Sequence, residues 1–361
     1  MDLRRTCWAR RSDVLRSSFL RRQEPSDVCD DSSRRALQRY ARRTLVPSLR
    51  WGGEKMVNLP ASIHFIERDW LSANHVMFRD HDSATLIDSG YGKFNDVTIE
   101  KVAAVLRGWG EPALDRIINT HIHSDHIGGN AELQRLHRGC SITVPADEQP
   151  ALVNWDAQEQ FLSYADQEAE RFAWDDVIEP GQALQLGGES WRAIATPGHD
   201  MGSLVFYSPK LRILISADAL WENSSGFVLP QAIDPKSLAA QRATFTRLAE
   251  LDVGLVIPGH GPMFTDYSGA LKRAGEKLEL FAANDLRIAK NVVKTMFIYA
   301  IMWRGGMLLS AIPAYLNRVG VHRDYNAQFF KFSNDAFAAW MIKETTQSGK
   351  LQLEGDRLIA A

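Results

Sequence analysis

Thr120-His121-Ile122-His123-Ser124-Asp125-His126-Ile127-Gly128-Gly129-Asn130 is where metal-binding side-chain types crowd most closely along this chain. It follows the apolar run Leu114 to Ile118 and places four metal-competent side chains within six consecutive positions, 121 to 126. In an extended segment, residues two apart point the same way, so His121 and His123 can converge on one ion. Asp125 and His126, beyond the bend, are then free to face another. Taken alone, the cluster could also be a polar surface loop that happens to be His-rich, since loops tolerate such residues.

Recurrence argues against that simpler account. Thr196-Pro197-Gly198-His199 follows the strand-like run Trp191 to Ala195, and Ser216-Ala217-Asp218 ends the run Arg212 to Ile215. Pro258-Gly259-His260-Gly261 ends the run Val253 to Ile257. Each time, an apolar strand delivers one ligand-type residue at its C-terminal end. Ligands arriving from separate strands onto one sheet edge are what a site on a rigid α/β scaffold looks like.

With these motifs the sequence resembles the metallo-β-lactamase-fold hydrolases over roughly residues 60 to 270. That superfamily includes glyoxalase II-like thioesterases, acyl-homoserine lactonases, β-lactamases and tRNA 3′-processing nucleases. The resemblance implies that His121, His123 and His199 hold a first metal, that Asp125, His126 and His260 hold a second, and that Asp218 bridges them. It also implies that Asp88, in Leu86-Ile87-Asp88-Ser89-Gly90, orients the ligands from behind. Carboxylates in such positions fix the tautomer and angle of ligating imidazoles. Without the resemblance, the same residues read equally well as an ordinary Asp-Ser-Gly turn.

Imidazole and carboxylate donors without thiolate suit two zinc ions, and also iron or manganese. His123 stands where the redox di-iron branch of the fold typically carries Glu, which disfavours an oxygen-reducing flavin-linked enzyme. The activity implied is cleavage of an ester, thioester or lactone in a small molecule by a hydroxide bridging the metals, with Asp125 and Asp218 as catalytic residues. Metal binding brings the pKa of water from about 15.7 towards ~7, which supplies hydroxide at neutral pH. Asp125 is placed to accept or return its proton. A mononuclear iron persulfide dioxygenase keeps the same His cluster and is the alternative; a phosphodiesterase or nuclease is a third reading.

Charge weighs against the third. The chain has 361 residues, 45% of them hydrophobic, and a formal net charge of −2. Residues 1 to 55 hold fourteen Lys and Arg against seven Asp and Glu, which leaves the remainder at about −9. An acidic body lacks the cationic surface that phosphate backbones demand, so a small-molecule substrate and no nucleic acid is expected. Three cysteines, Cys7, Cys29 and Cys140, make no disulfide framework, and a reducing cytoplasm is the natural compartment. Cys140 reads as a buried small hydrophobe.

Residues 1 to 55 are Arg- and Ser-rich with no apolar segment long enough for a secretory signal. A targeting presequence and a solvated disordered tail are both readings, the first weakened by Asp27, Asp30 and Asp31. A third is favoured, in which translation begins at Met56, because Trp51-Gly52-Gly53-Glu54-Lys55 can be encoded by a purine-rich ribosome-binding stretch.

The fold class expected is α/β: a four-layer αβ/βα metallo-β-lactamase sandwich over residues 56 to 270, followed at 271 to 361 by a small helical, winged-helix-like module. Alternating or apolar runs predict strands at 63–65, 75–78, 84–87, 114–118, 142–144, 183–186, 191–195, 203–207 and 212–215, with helices at 98–107, 128–136 and 235–250. A long polar helical insertion is expected from Glu148 to Phe172. The apolar stretch Thr295 to Ile312 is interrupted by Arg304-Gly305-Gly306, leaving pieces too short to cross about 30 Å of hydrocarbon, so no membrane span is expected. Phe337 to Ile342 and then Ser348 to Ile359 read as a helix and a hairpin with Glu-Gly-Asp at its tip. Modules of that kind in these hydrolases pack beside the active site or mediate dimerisation, which makes a homodimer compatible.

Around the site, Trp221 replaces the Tyr that lactonases carry three residues after the bridging Asp, and Asp200 replaces the usual Thr after the His of Thr-Pro-Gly-His. Trp221, Phe227 and Trp70 are candidates for an apolar acyl pocket, although such aromatics are more often core. His64, His75, His81, His137 and His322 have no partner spacing and read as surface or satisfied structural residues.

Overall fold

The computed structural model describes residues 59–361 except Trp70; the expectations for residues 1 to 55, for the Met56 start and for Trp70 lie outside the described residues. Six strands, β1 (Ile63–Ile66), β2 (His75–Asp80), β3 (Ser83–Ile87), β4 (Ala113–Ile118), β5 (Ser141–Pro145) and β6 (Asp176–Ile178), lie side by side in that order. The first three pair antiparallel, and β3 through β6 pair parallel. A second sheet, ordered β11-β10-β9-β8-β7, contains β7 (Ala183–Leu186), β8 (Glu189–Ala195), β9 (Leu204–Ser208), β10 (Ile213–Ala217) and β11 (Leu255–Pro258).

Side-chain alternation builds the layers. In β2, Val76 and Phe78 join a core with Trp191 and Phe206 of the second sheet, whereas Met77 points to the opposite face. In β10, Ile213 and Ile215 enter that same inter-sheet core, and Leu214 packs outward. A sheet buried on both faces reads as a continuous apolar run, which is why β9 and β10 are buried throughout. The outer face of the first sheet is covered by α1 (Asn95–Gly108), α3 (Asn130–Leu136), α4 (Gln149–Val153) and α5 (Trp155–Tyr164), which contribute Val102, Leu106, Leu133, Leu152 and Trp155. A single turn, α2 (Ser124–Ile127), precedes α3. The other sheet is covered by α6 (Ser237–Leu248) and α7 (Tyr267–Ala282), through Leu248 and Ala270. These are the four layers expected.

The insertion differs from its expected form. Helix ends at Tyr164, and the chain from 165 to 175 carries no regular structure. Asp166 adopts φ 58, in the left-handed region that closes a helix, and its carboxylate accepts from Arg304 Nη2 at 2.9 Å and from Tyr315 Oη at 2.8 Å. Distant partners thus set a helix end that local composition does not signal. The short strand β6 likewise has no mark in the local pattern.

The chain continues through α8 (Asp285–Trp303), β12 (Met307–Leu308), α9 (Ile312–Arg318), α10 (Gly320–Tyr325), α11 (Asn334–Gln347), β13 (Leu351–Glu354) and β14 (Arg357–Ala360). The last three strands form a sheet ordered β12-β14-β13. Asn284 caps α8 by accepting from Leu286 N, and Gly305 and Gly306, at φ 64 and 114, take the chain out of it. No described helix is long and apolar enough to cross a membrane. Ile288, Val292, Phe297, Phe337, Met341 and Leu358 form a core that includes Val228 and Leu238. This helical region therefore shares its interior with the segment that follows Asp218.

Candidate metal centre

Five strand ends converge. Asp88 follows β3, His121 lies three residues past β4, His199 follows β8, and Asp218 and His260 follow β10 and β11. His121, His123 and His199 form one group and Asp125, His126, Asp218 and His260 a second, with the ligand-type atoms of each group within 4.8 Å of one another. The structure thus brings together all seven residues singled out in the sequence. Asp218 stands between the groups: its Oδ2 is 3.4 Å from His199 Nε2, and its Oδ1 is 3.5 and 3.7 Å from Nε2 of His126 and His260. Backbone geometry places it there. Ala217 is held in the left-handed region at φ 44, and its carbonyl accepts from Gly259 N at 2.7 Å.

Hydrogen bonds at the rear of the rings decide which nitrogens face inward. Asp88 Oδ2 accepts from His126 Nδ1 and from the Thr120 hydroxyl, both at 2.8 Å, while Oδ1 accepts from Thr120 N. Having donated to Asp88, the Thr120 hydroxyl accepts from His121 Nδ1 at 3.1 Å. His199 Nδ1 donates to the Phe227 carbonyl at 2.6 Å. Each of these rings then presents an Nε2 lone pair to the cluster, as metal ligation requires. His126 Nε2 is buried and has no hydrogen-bond partner among the described residues. An orphaned acceptor aimed at three carboxylate and imidazole neighbours fits a bound cation.

Electrostatics agree with that fit. Burial, followed by the neighbouring imidazoles, lowers His121 and His123, which keeps them neutral. For His126, burial opposes protonation, but Asp88, Asp218 and Asp125 outweigh it and raise the ring. Burial likewise opposes ionisation of Asp218, yet His260 and His126 hold the carboxyl well below its usual range. A cation held here would take the place of the proton that these carboxylates otherwise draw to His126 Nε2.

The cluster floors a recess of about 650 Å³, counting space open to solvent. Phe161, Leu162 and Ala165 line it from α5 and its end, Thr295, Met296 and Tyr299 from α8. Trp221 and Phe227, expected as acyl-pocket candidates, line it too, and Trp221 Nε1 donates to Asp218 Oδ1 at 3.2 Å. Tyr299, buried to 6% exposure, donates from Oη to Asp125 Oδ2 at 3.0 Å, and His260 Nε2 is 3.1 Å from the same oxygen. Sequence reasoning missed Tyr299 because it sits within an apolar helix with no motif around it. Asp200 does add a carboxylate at the site, with Oδ2 3.6 Å from His123 Nε2. Glu148, also missed, lies beside Asp200; burial and that neighbour push its carboxyl up to about 10.

Of the histidines read as surface or satisfied structural residues, His75 is a buried structural residue paired with Arg68, and His322 departs from the reading. His75 is fully buried with Nε2 2.7 Å from Arg68 Nη1, and His322 is buried with Nδ1 lacking a hydrogen-bond partner among the described residues. Cys140 is buried, and burial pushes its thiol up to about 12, as a small hydrophobe requires.

Residues 68–260 match the Metallo-beta-lactamase superfamily, and the chain belongs to that superfamily. Within it, a 141-residue segment is 28% identical to the hydroxyacylglutathione hydrolase of Bartonella quintana (strain Toulouse), covering 38% of this chain and 47% of that protein. A 121-residue segment is 30% identical to the hydroxyacylglutathione hydrolase of Nitrobacter winogradskyi, covering 34% of this chain and 38% of that one. The chain therefore spans less than half the length of these curated relatives. A metallo-beta-lactamase family protein from Thermus thermophilus aligns with a TM-score of 0.50 at 18% identity, over 84% of this chain and 100% of that one, a likeness of fold.

Proposed function

We propose that this protein is a dinuclear metal-dependent hydrolase cleaving an ester, thioester or lactone bond of a small molecule. The observation that carries the reading is the Asp218 carboxylate, whose two oxygens face two separate groups of imidazoles. Relatives named hydroxyacylglutathione hydrolase support a carbonyl substrate. His121, His123 and His199 would hold one ion, Asp125, His126 and His260 the other, and Asp218 both; zinc suits this donor set first, and iron or manganese also suit it. Such ions, when bound, acidify water and polarise a carbonyl oxygen. The chain supplies the rest. Asp88 orients His126, Asp125 Oδ2 holds or returns a proton, the Tyr299 hydroxyl donates to that carboxylate, and the apolar recess walls limit water. A cytoplasmic location and a small-molecule partner, without nucleic acid or membrane, belong to the same reading.

The test is metal analysis of the purified protein, followed by ester, thioester, lactone, β-lactam and phosphodiester substrates. Two metal ions per chain with cleavage of a carbonyl substrate is the expected result. One iron per chain with oxygen consumption on a persulfide, or turnover confined to phosphodiesters, overturns it.

A further inference from the structure

The walls of the recess are apolar, and among the described residues no Lys or Arg lines it. Phe161 and Leu162 come from α5, Met296 and Tyr299 from α8, with Trp221 and Phe227 on the loop after Asp218. Two cations are engaged beside this lining. Gln167 lines the recess, and the carboxylates on either side of it take them: Asp166 holds Arg304 at 2.6 Å and Glu168 holds Lys93 at 2.5 Å. Arg304 is further committed, its guanidinium lying 3.7 Å over the Trp303 ring. A carboxylate on a substrate's acyl arm would thus meet apolar walls and acidic neighbours. Burying an ionised group without a partner is costly, whereas apolar area removed from water is favourable.

Resting on the hydrolase reading, we propose that the substrate is an ester or thioester whose acyl arm is apolar and uncharged, seated between α5 and α8, with Met296 and Phe161 setting the chain length accepted. Water oxygen bonds to the acyl carbon as the carbon–sulfur or carbon–oxygen bond breaks. The thiol or alcohol leaves with one proton of the water, and the acid is released with the other. In a hydroxyacylglutathione the two carboxylates sit on the glutathione leaving group, and the described lining gives no cation to receive them either, so the proposal extends to a leaving group without carboxylates and separates this chain from the hydroxyacylglutathione hydrolases it resembles.

The test uses the zinc-loaded full chain and S-acyl N-acetylcysteamine thioesters, which share one uncharged leaving group. Acetyl, butanoyl, octanoyl and succinyl arms are compared, beside a hydroxyacylglutathione. kcat/KM is expected to rise at least about tenfold from acetyl to octanoyl and to fall at least about tenfold from butanoyl to succinyl, a discrimination well within what added methylenes or an unpaired polar group provide. Met296→Lys is expected to narrow the butanoyl-to-succinyl ratio, with zinc content and circular dichroism unchanged. If that variant fails to fold, the series on the unaltered chain decides. Preference for succinyl or the hydroxyacylglutathione by an active enzyme overturns the proposal and leaves the hydrolase reading standing. No turnover of any carbonyl substrate by the two-metal protein removes both.

Discussion

Asp88 holds the second group of side chains in place with two oxygens and three hydrogen bonds. It does so from φ 57, a left-handed backbone that Asn tolerates as well as Asp does. Asp88→Asn is therefore a clean probe: the backbone is kept and the shared acceptor oxygen is lost. On the two-ion proposal, zinc affinity at the Asp125, His126 and His260 group is expected to drop about 10–100-fold, read by chelator competition, with the other group unaffected. Equal affinity in the variant would remove Asp88 from the site. Tyr299→Phe deletes one hydrogen bond to the Asp125 carboxylate, a kind of contact worth roughly 1.5–3 kcal/mol. Expressed in the transition state, that loss lowers kcat/KM by about tenfold or more. A variant with unchanged kcat/KM and pH profile assigns the hydroxyl a packing role only.

Glycines at the loop crossings make the close approaches possible. A Cβ on Gly226 would overlap the imidazole of His199, and one on Gly259 would overlap Asp218. Gly226→Ala is thus expected to displace His199 and leave about one zinc per chain with the circular dichroism spectrum intact; two zinc ions at unaltered affinity would count against the arrangement. In α10, His322 packs between Phe297 and Tyr315, and burial lowers its pKa to about 3. The unfolded chain protonates this ring below about 6.5 and the folded one does not. Below that pH, folding stability falls with acidity by about 1.4 kcal/mol per unit from this group, down towards pH 3. His322→Phe is expected to flatten that part of the slope in urea unfolding between pH 6.5 and 4.5, and an unaltered slope would show the ring does not stay neutral. What was legible in the sequence follows from the same local logic. The seven site residues follow the ends of four strand-like runs, four of them in the one turn after Ile118, so pattern and spacing find them. Tyr299 and Asp166 do not, because their partners lie 174 and 138 residues away and leave no local mark.

The four layers bring the two sheets' C-terminal edges together, and the C-terminal helices close over that edge. They are not an appendage in packing terms, since Val228 and Leu238 lie in the same core as Phe297 and Met341. A chain ended after Ala283 loses α8 and uncovers those two residues. It is expected to unfold at a clearly lower temperature than the full chain and to retain little turnover, measured by calorimetry and by the thioester assay. A truncated chain with an unchanged midpoint would show that the helical region contributes nothing to the sandwich.

The distance along the chain between His260 and Tyr299 has a consequence for how the protein is made. Translation delivers the last of the seven clustered side chains about forty residues before the hydroxyl that meets Asp125, an interval of roughly 2–8 s at about 5–20 residues per second. Counted at the ribosome's exit, the seven side chains have all emerged during that interval, and the roof that narrows access to them has not. Metal can therefore enter from an open face while the ribosome is still at work, with no need for the finished recess to reopen.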